Sequence, residues 1–443
     1  MNEIPSSNDS LSRRHFVRAG ASAASVAALA HAWIPANVHA APENRIKLGL
    51  VGCGGRGTGA AAQAMNADDG VDLVAVCDVE RSQGEQAVEI LKKQKQDRIK
   101  VTPDKIFTGF EDYKTVIGEC DVVILATSPG FRAQHFEEAV RQGKHVFMEK
   151  PVATDVAGIK RVLEAAKVAK EKNLKVGVGL QRRHQPAYVE IVKRIQDGAL
   201  GDLHYLRVFW DGSARAGKER MPGETELQYQ IRNWYYFTWL SGDHNVEQHV
   251  HNLDVGNWIK GATPVRAQGM GGREVRNKDI NGQIFDHHFV EYEYADGTRM
   301  WSQARQIPGC WRSVSEHVRG TLGEAALEAR EFSITGPNAH SIRLRKGEDG
   351  HQLEHFPFFE AIRKDLPYNE AEHGANATMT AILGRMTNYS GQEVTWEDAM
   401  ASNMKLVPDD LVDFNSEPPV KPDAEGRYPV AVPGVTKPYE VWY

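Results

Sequence analysis

Early in the chain the apolar positions fall in short, nearly unbroken runs with helical stretches between them. Arg45 to Val51, Asp72 to Cys77, Val122 to Ala126 and His145 to Met148 read as strands buried on both faces. Thr58 to Ala67, Ser82 to Lys95 and Arg132 to Gln142 read as the helices between them. This alternation predicts an α/β fold on a doubly wound parallel sheet, with ligands at the carboxyl ends of its strands. From about Leu203 the pattern changes. Long strands that alternate sides, such as Leu203 to Trp210 and His287 to Tyr294, are broken by glycine turns. They predict a C-terminal α+β domain with an open, mainly antiparallel sheet. Helical stretches near Phe358 to Lys364 and Ala375 to Tyr389 are expected over the seam.

The first strand runs into a G-x-G-x-x-G loop, Gly52-Cys53-Gly54-Gly55-Arg56-Gly57, which opens the first helix. One glycine makes the tight turn, one lets the backbone approach a pyrophosphate, and one lets helix pack on strand. The helix N-terminus then offers unpaired N–H groups and a partial positive charge to the phosphates. Asp78 ends the second strand about 20 residues on, where a carboxylate accepts from ribose hydroxyls. A carboxylate there repels a 2′-phosphate, so NAD is expected rather than NADP, with Arg81 softening the preference. Thr127-Ser128-Pro129 and Glu149-Lys150 lie at two more strand ends, where a nicotinamide ring is expected. Residues 41–170 are thus predicted to be an NAD(P)-binding Rossmann domain, residues 171–405 a substrate-binding domain, and 406–443 a tail.

Ahead of this stands Ser12-Arg13-Arg14-His15-Phe16, a twin-arginine export signal, followed by an Ala-rich stretch and a small-x-small site at Val38-His39-Ala40. The mature chain is expected to begin at Ala41 and to work in the periplasm or otherwise outside the cytoplasm, unless the signal is retained as an anchor. No later segment approaches the roughly 20 apolar residues of a membrane span. Such a signal exports a folded protein with its dinucleotide already inside, so the cofactor is expected to be tightly bound and regenerated in place.

Loss of residues 1–40 removes three basic and two acidic residues and moves the formal charge from −6 to about −7. That argues against nucleic acid as a partner. Cys53, Cys77, Cys120 and Cys310 show no paired spacing, and three of them fall at or near predicted strands as small buried hydrophobes.

Gly143-Lys144-His145-Val146-Phe147-Met148-Glu149-Lys150-Pro151, with the glycine loop upstream, resembles the glucose–fructose oxidoreductase / inositol dehydrogenase (Gfo/Idh/MocA) family. The resemblance continues through Gly179 to Arg183, Asp197 to Gly201, the helix carrying His251 and Asp254, and the turns Tyr294 to Thr298 and Gly320 to Gly323. It implies that Lys150 lies beside the nicotinamide and touches the hydroxyl being oxidised. Glu149 and Pro151 would shape that loop, with a cis peptide before Pro151 as an option. It also implies oligomer contacts, as a dimer or tetramer, through the exposed face of the C-terminal sheet.

In the second half, Glu247, His251 and Asp254 fall at i, i+4 and i+7, on one face if the stretch is helical. The resemblance implies that His251 is the general base for the hydroxyl proton and that Lys150 stabilises the alkoxide. Glu247 stands where inositol-dehydrogenase-like members carry Asp, a departure that alters how far the carboxylate reaches. His249 and His251, with Glu247 and His287 or His288, offer an alternative zinc set; a packed core histidine is the other reading of His249. No metal is expected. Trp234 and Tyr236, in an aromatic run ahead of the helix, are candidates to stack on a pyranose ring, or else core or interface. Arg182 and Arg183, with Asp254, are candidates for the substrate cleft, with ion pairing as the other reading of the arginines.

After Val407 seven prolines between Pro408 and Pro438 exclude helix and central strand, and the aromatics at Tyr439, Trp442 and Tyr443 predict a tail wrapped over its own subunit or a neighbour. The sequence as a whole reads as an exported oxidoreductase acting on a sugar, sugar acid, cyclitol or glycoside. A redox-neutral NAD-dependent glycoside hydrolase or epimerase, and a non-catalytic sugar-binding protein, remain the alternatives.

Overall fold

The structure is a computed structural model and describes residues 44–443; the twin-arginine signal and its cleavage site lie outside the described residues. Six strands form the first sheet: β1 (Ile46–Val51), β2 (Val71–Asp78), β3 (Ile106–Thr108), β4 (Val122–Leu125), β5 (His145–Met148) and β6 (Val176–Val178). Their order is β3-β2-β1-β4-β5-β6 and every pairing is parallel. Leu48, Leu50, Val76, Val122 and Ile124 are all buried, as runs apolar on both faces require. The order reverses between β1 and β4, so their carboxyl ends part and leave a crevice there. β3 and the helix Tyr113–Glu119 escaped the sequence pattern because each is too short to show a period.

The second sheet has nine strands: β7 (Leu203–Asp211), β8 (Arg266–Gly272), β9 (His287–Glu293), β10 (Arg299–Arg305), β11 (Ser313–Gly320), β12 (Gly323–Glu328), β13 (Glu331–Ile334), β14 (His340–Arg343) and β15 (Val394–Thr395). They run in the order β14-β13-β12-β11-β7-β10-β9-β8-β15. All pairs are antiparallel except β10 with β7, at the centre. The helix Ala371–Ser390 is buried on nearly every side. Its run of Ala, Gly and Thr suits that position, since a helix buried all round needs small side chains to let neighbours approach. It packs against β8, the helix Val156–Glu171 and the helix Val250–Lys260, joining the two sheets.

Residues 406–443 form neither helix nor strand and lie over the same chain. Thr225 donates to the Phe414 carbonyl at 2.6 Å, Tyr428 donates to Glu226 at 2.5 Å, and Trp442 meets Tyr389 edge-on at 5.0 Å.

Candidate active site

At the crevice, Gly52 has φ +93°, and a Cβ on it would lie 2.4 Å from the Thr127 amide nitrogen. A Cβ on Gly57 would lie 1.9 Å from the Gly52 carbonyl oxygen, so only glycine lets this helix meet this strand. Gly54 and Gly55 instead face open space. The loop therefore has the closed and open positions that a pyrophosphate cradle needs, at the start of helix Gly55–Ala67. Asp78 sits beside it, accepting from the Cys53 amide at 2.7 Å and the Glu80 amide at 3.1 Å. Burial raises its pKa, and those amides counter the rise. These residues fit a dinucleotide.

Arg56 turns away from the open side of the loop. It donates to Glu149 at 2.5 Å and to Gln63 at 2.9 Å, tying the glycine loop to the end of β5. Ser128 precedes the helix Pro129–Arg141, and the Thr127 hydroxyl lies 3.4 Å from His135 Nδ1. Arg132, which the sequence reading passed over, is buried and donates to the Thr127 and Pro151 carbonyls. It clamps two strand ends together. Burial lowers its pKa to about 10, which leaves it charged. Its signal in the sequence was an arginine placed where a helix packs on a buried sheet.

The Lys150–Pro151 peptide is cis. Lys150 Nζ donates to the backbone carbonyl of Glu247 and lies 3.2 Å from Glu247 Oε1. Here the structure corrects the expected single helix. His244–Glu247 and Val250–Lys260 are separate helices, with the break at Gln248 and His249. The His251 amide bonds Gln248 at 3.4 Å, so the Glu247 carbonyl has no helical partner and is left for Lys150. Two contacts hold the break. Gln306 donates to Gln248 Oε1 at 2.8 Å, and His249 Nε2 lies 2.7 Å from Ser302 Oγ on β10.

His251 is buried and stacks on Trp210 at the end of β7, with centroids 6.0 Å apart and rings 25° from parallel. Burial first, and the Lys150 charge second, hold its pKa well below the ordinary imidazole value. It is a neutral imidazole within reach of the Lys150 charge. Its Nδ1 and Glu247 Oε2 are buried without hydrogen-bond partners in the protein.

The remaining candidates are placed as follows. Arg183 forms a fork with Asp254, with contacts of 2.7 to 3.0 Å, over the Trp258 ring. Arg182 pairs with the buried Glu316, to which Asn252 and Tyr188 also donate. Both guanidiniums are thus committed to buried carboxylates. Trp234, Tyr235 and Tyr236 cluster around Ile284, and Tyr236 donates to the Arg215 carbonyl. Of the three it is Tyr235 on which the Glu247 charge acts, and Gln306 donates to its hydroxyl at 2.8 Å.

The alternative zinc set is not assembled: His249 is engaged with Ser302, His251 with Trp210 and His287 with Asp286. Among the described residues, Asp243, His244 and His288 offer ligand atoms within 4.8 Å of one another. The Asp243 carboxylate is already met by His244 at 2.8 Å, Tyr389 at 2.5 Å, the Phe285 amide at 3.0 Å and His288 at 3.2 Å. Hydrogen bonds from His244, Tyr389 and the Phe285 amide thus engage that carboxylate and anchor the segment leading to Glu247, while His244 Nε2 and His288 Nε2 are buried without hydrogen-bond partners in the protein.

Fold and cleft together define a nucleotide-binding architecture. Residues 46–180 match the family described as "Oxidoreductase family, NAD-binding Rossmann fold" (GFO_IDH_MocA). It is 31% identical over 160 residues to inositol 2-dehydrogenase of Salmonella paratyphi B, covering 35% of this chain and 43% of the relative. The chain thus spans less than half the length of that relative. With scyllo-inositol 2-dehydrogenase (NAD(+)) of Bacillus subtilis it shares 24% identity over 307 residues, 68% of this chain and 71% of the relative. Among solved structures it resembles aldose-aldose oxidoreductase from Caulobacter crescentus, with TM-score 0.63 and 16% identity, over 80% of this chain and 100% of the other. An oxidoreductase domain protein from Kribbella flavida gives TM-score 0.65 and 18% identity, over 80% and 99%.

Proposed function

We propose that this protein is an NAD-dependent oxidoreductase of ring alcohols: cyclitols, sugars, sugar acids or glycosides. One observation carries the reading. The Lys150 ammonium, held by Glu247 at the end of β5, acts on the buried, neutral His251 imidazole, and Arg56 ties the same strand end to the glycine loop through Glu149. Gly52, Gly54, Gly55, Gly57 and Asp78 would hold the dinucleotide, whose nicotinamide supplies the hydride acceptor or donor when bound. His251 takes the hydroxyl proton, and Lys150 stabilises the alkoxide charge. Glu247 fixes the Lys150 ammonium through carboxylate and carbonyl together. The inositol dehydrogenases among the relatives support the substrate class.

Export by the twin-arginine route, with a cofactor that stays bound, belongs to the same proposal and rests on Arg13-Arg14. So does association of copies through the outer face of the second sheet, where Met270 and Phe289 are exposed. Light scattering of the purified protein tests the association. Addition of myo-inositol, scyllo-inositol and a panel of glycosides to the purified protein tests the chemistry: one of them is expected to reduce the bound cofactor, and a panel without effect overturns the reading.

A further inference from the structure

Helix Glu226–Arg232 follows β7 in the second half of the chain, yet it reaches the strand ends of the first sheet. Gln228, in its first turn, donates to Glu80 Oε1 at 3.0 Å, and the Glu80 amide donates in turn to Asp78 at 3.1 Å. The helix is capped by Thr225, whose hydroxyl accepts from the Gln228 amide at 3.2 Å and donates to the Phe414 carbonyl of the tail at 2.6 Å. The Phe414 ring meets Phe110 edge-on at 5.4 Å. Phe110 stands just beyond β3, whose last residue, Thr108, pairs with Asp78. Contacts from the far half of the chain therefore converge beside the carboxylate expected to hold the ribose. The tail is rooted on the other side of the crevice. There the Leu406 and Val407 amides donate to the Asp155 carboxylate at 2.6 and 3.2 Å, at the start of the helix that follows β5. The strand order β3-β2-β1-β4-β5 puts the two anchors at opposite ends of the crevice. Four strand spacings come to about 19 Å. The stretch from Val407 to Phe414 reaches at most about 25 Å when extended, so it bridges the anchors with little slack. Beyond Phe414 the helix holds the tail again, Gln230 donating to the Val420 carbonyl at 2.8 Å.

We propose that helix Glu226–Arg232 and the tail from Val407 to Phe414 are part of the dinucleotide site: they wall its adenosine end, and the cofactor leaves only when Phe414 lifts from Phe110 and Gln228 from Glu80. The glycine loop and Asp78 serve the phosphates and ribose from the side of the first sheet. The wall covers the side that they leave open. Each contact is weak alone, but the segment is tied at Asp155, at Thr225 and at Gln230, so opening it breaks several together. Pro408, Pro418 and Pro419 fix φ on either side of Phe414 and reduce the freedom lost in holding the segment in place. Gln228 and Phe414 are positioning residues and take no part in hydride transfer. The inference rests on the dinucleotide reading of the glycine loop and Asp78, and it holds whichever alcohol is oxidised.

The test follows release of the cofactor and needs no substrate. The purified full chain is loaded with tritium-labelled NAD, freed of unbound nucleotide and mixed with excess unlabelled NAD. Label still on the protein is counted over time after gel filtration. Release is expected to be at least tenfold faster in the Gln228→Ala, Phe414→Ala double variant than in the wild type. Phe414→Tyr, which keeps the ring, and Val435→Ala, at an exposed tail residue, should release at the wild-type rate. Circular dichroism checks that each variant is folded. Where the double variant does not fold, amide hydrogen exchange of the wild type decides: helix Glu226–Arg232 and the amides around Phe414 should exchange at least tenfold more slowly with NAD bound than without it. Release rates within twofold of each other in wild type and folded double variant, or amide exchange indifferent to NAD, overturn the proposal and leave the dinucleotide reading standing. A protein that binds no NAD overturns both.

Discussion

Lys150 donates to the backbone carbonyl of Glu247, and that carbonyl is available because the helix breaks one residue later, at Gln248. The break fixes the distance between the strand end at β5 and the helix that carries His251. A lysine held by both a carboxylate and a carbonyl keeps its position, which the proposed electrostatic stabilisation of an alkoxide needs before the reaction begins.

Lys150→Met keeps the length of the side chain and removes its charge. Single-turnover reduction of bound cofactor should slow by about 10²–10³-fold, the usual cost of losing one preorganised stabiliser. A loss under threefold would remove Lys150 from the chemistry.

The His251 pKa is depressed first by burial and second by the Lys150 charge. Its neutral, proton-accepting form therefore persists below the ordinary imidazole value of about 6.5, and the acid limb of the pH–rate profile should lie below it. Lys150→Met removes the second cause, so in that variant the limb moves to higher pH. A limb that stays or moves lower contradicts the assignment.

Buried histidines should also make the fold sensitive to acid. Burial lowers the pKa of His244 to about 4 and that of His135 to about 3. The unfolded chain, with imidazoles near 6.5, then binds more protons than the native state. Their contribution is complete above about pH 6.5, is lost as pH falls toward about 4 and then about 3, and does not return at lower pH. Thermal unfolding midpoints should fall across that window, and less steeply in His135→Gln. A slope unchanged in His135→Gln would contradict this.

Asp78 is held against the glycine loop by the Cys53 amide. Asp78→Ser removes the charge that repels a 2′-phosphate, so the ratio of NADP to NAD affinity should rise at least tenfold by calorimetry, roughly 1.4 kcal/mol. An unchanged ratio would mean that Asp78 does not face the ribose.

The parallel sheet was legible because apolar runs and a glycine loop are local signals. β1, β2, β4 and β5 lie where those runs predict, while β3 is too short to carry a period. The site was legible only in part. A lysine beside a proline at a strand end can be read from neighbours in sequence. The break at Gln248 cannot, because it is stabilised by Gln306 and Ser302 on another part of the chain. The expected helix face of Glu247, His251 and Asp254 failed for that reason. Arg132 was missed because its partners are two backbone carbonyls, of Thr127 and Pro151, which only the folded strand ends bring to it. The parallel pairing of β7 with β10 is of the same kind, since register across a long separation leaves no local mark.

The central claim is that Lys150 and His251 serve hydride transfer to a cofactor that remains in the protein. The most direct measurement is absorbance of the purified, desalted protein on addition of myo-inositol, scyllo-inositol or a glycoside, with no NAD added. The account predicts that reduced nicotinamide forms in the wild type, in an amount no greater than the protein present, and is nearly abolished in the Lys150→Met, His251→Ala double variant over the same time. Nicotinamide bound but never reduced by any of these alcohols, or reduced equally in the double variant, would contradict it.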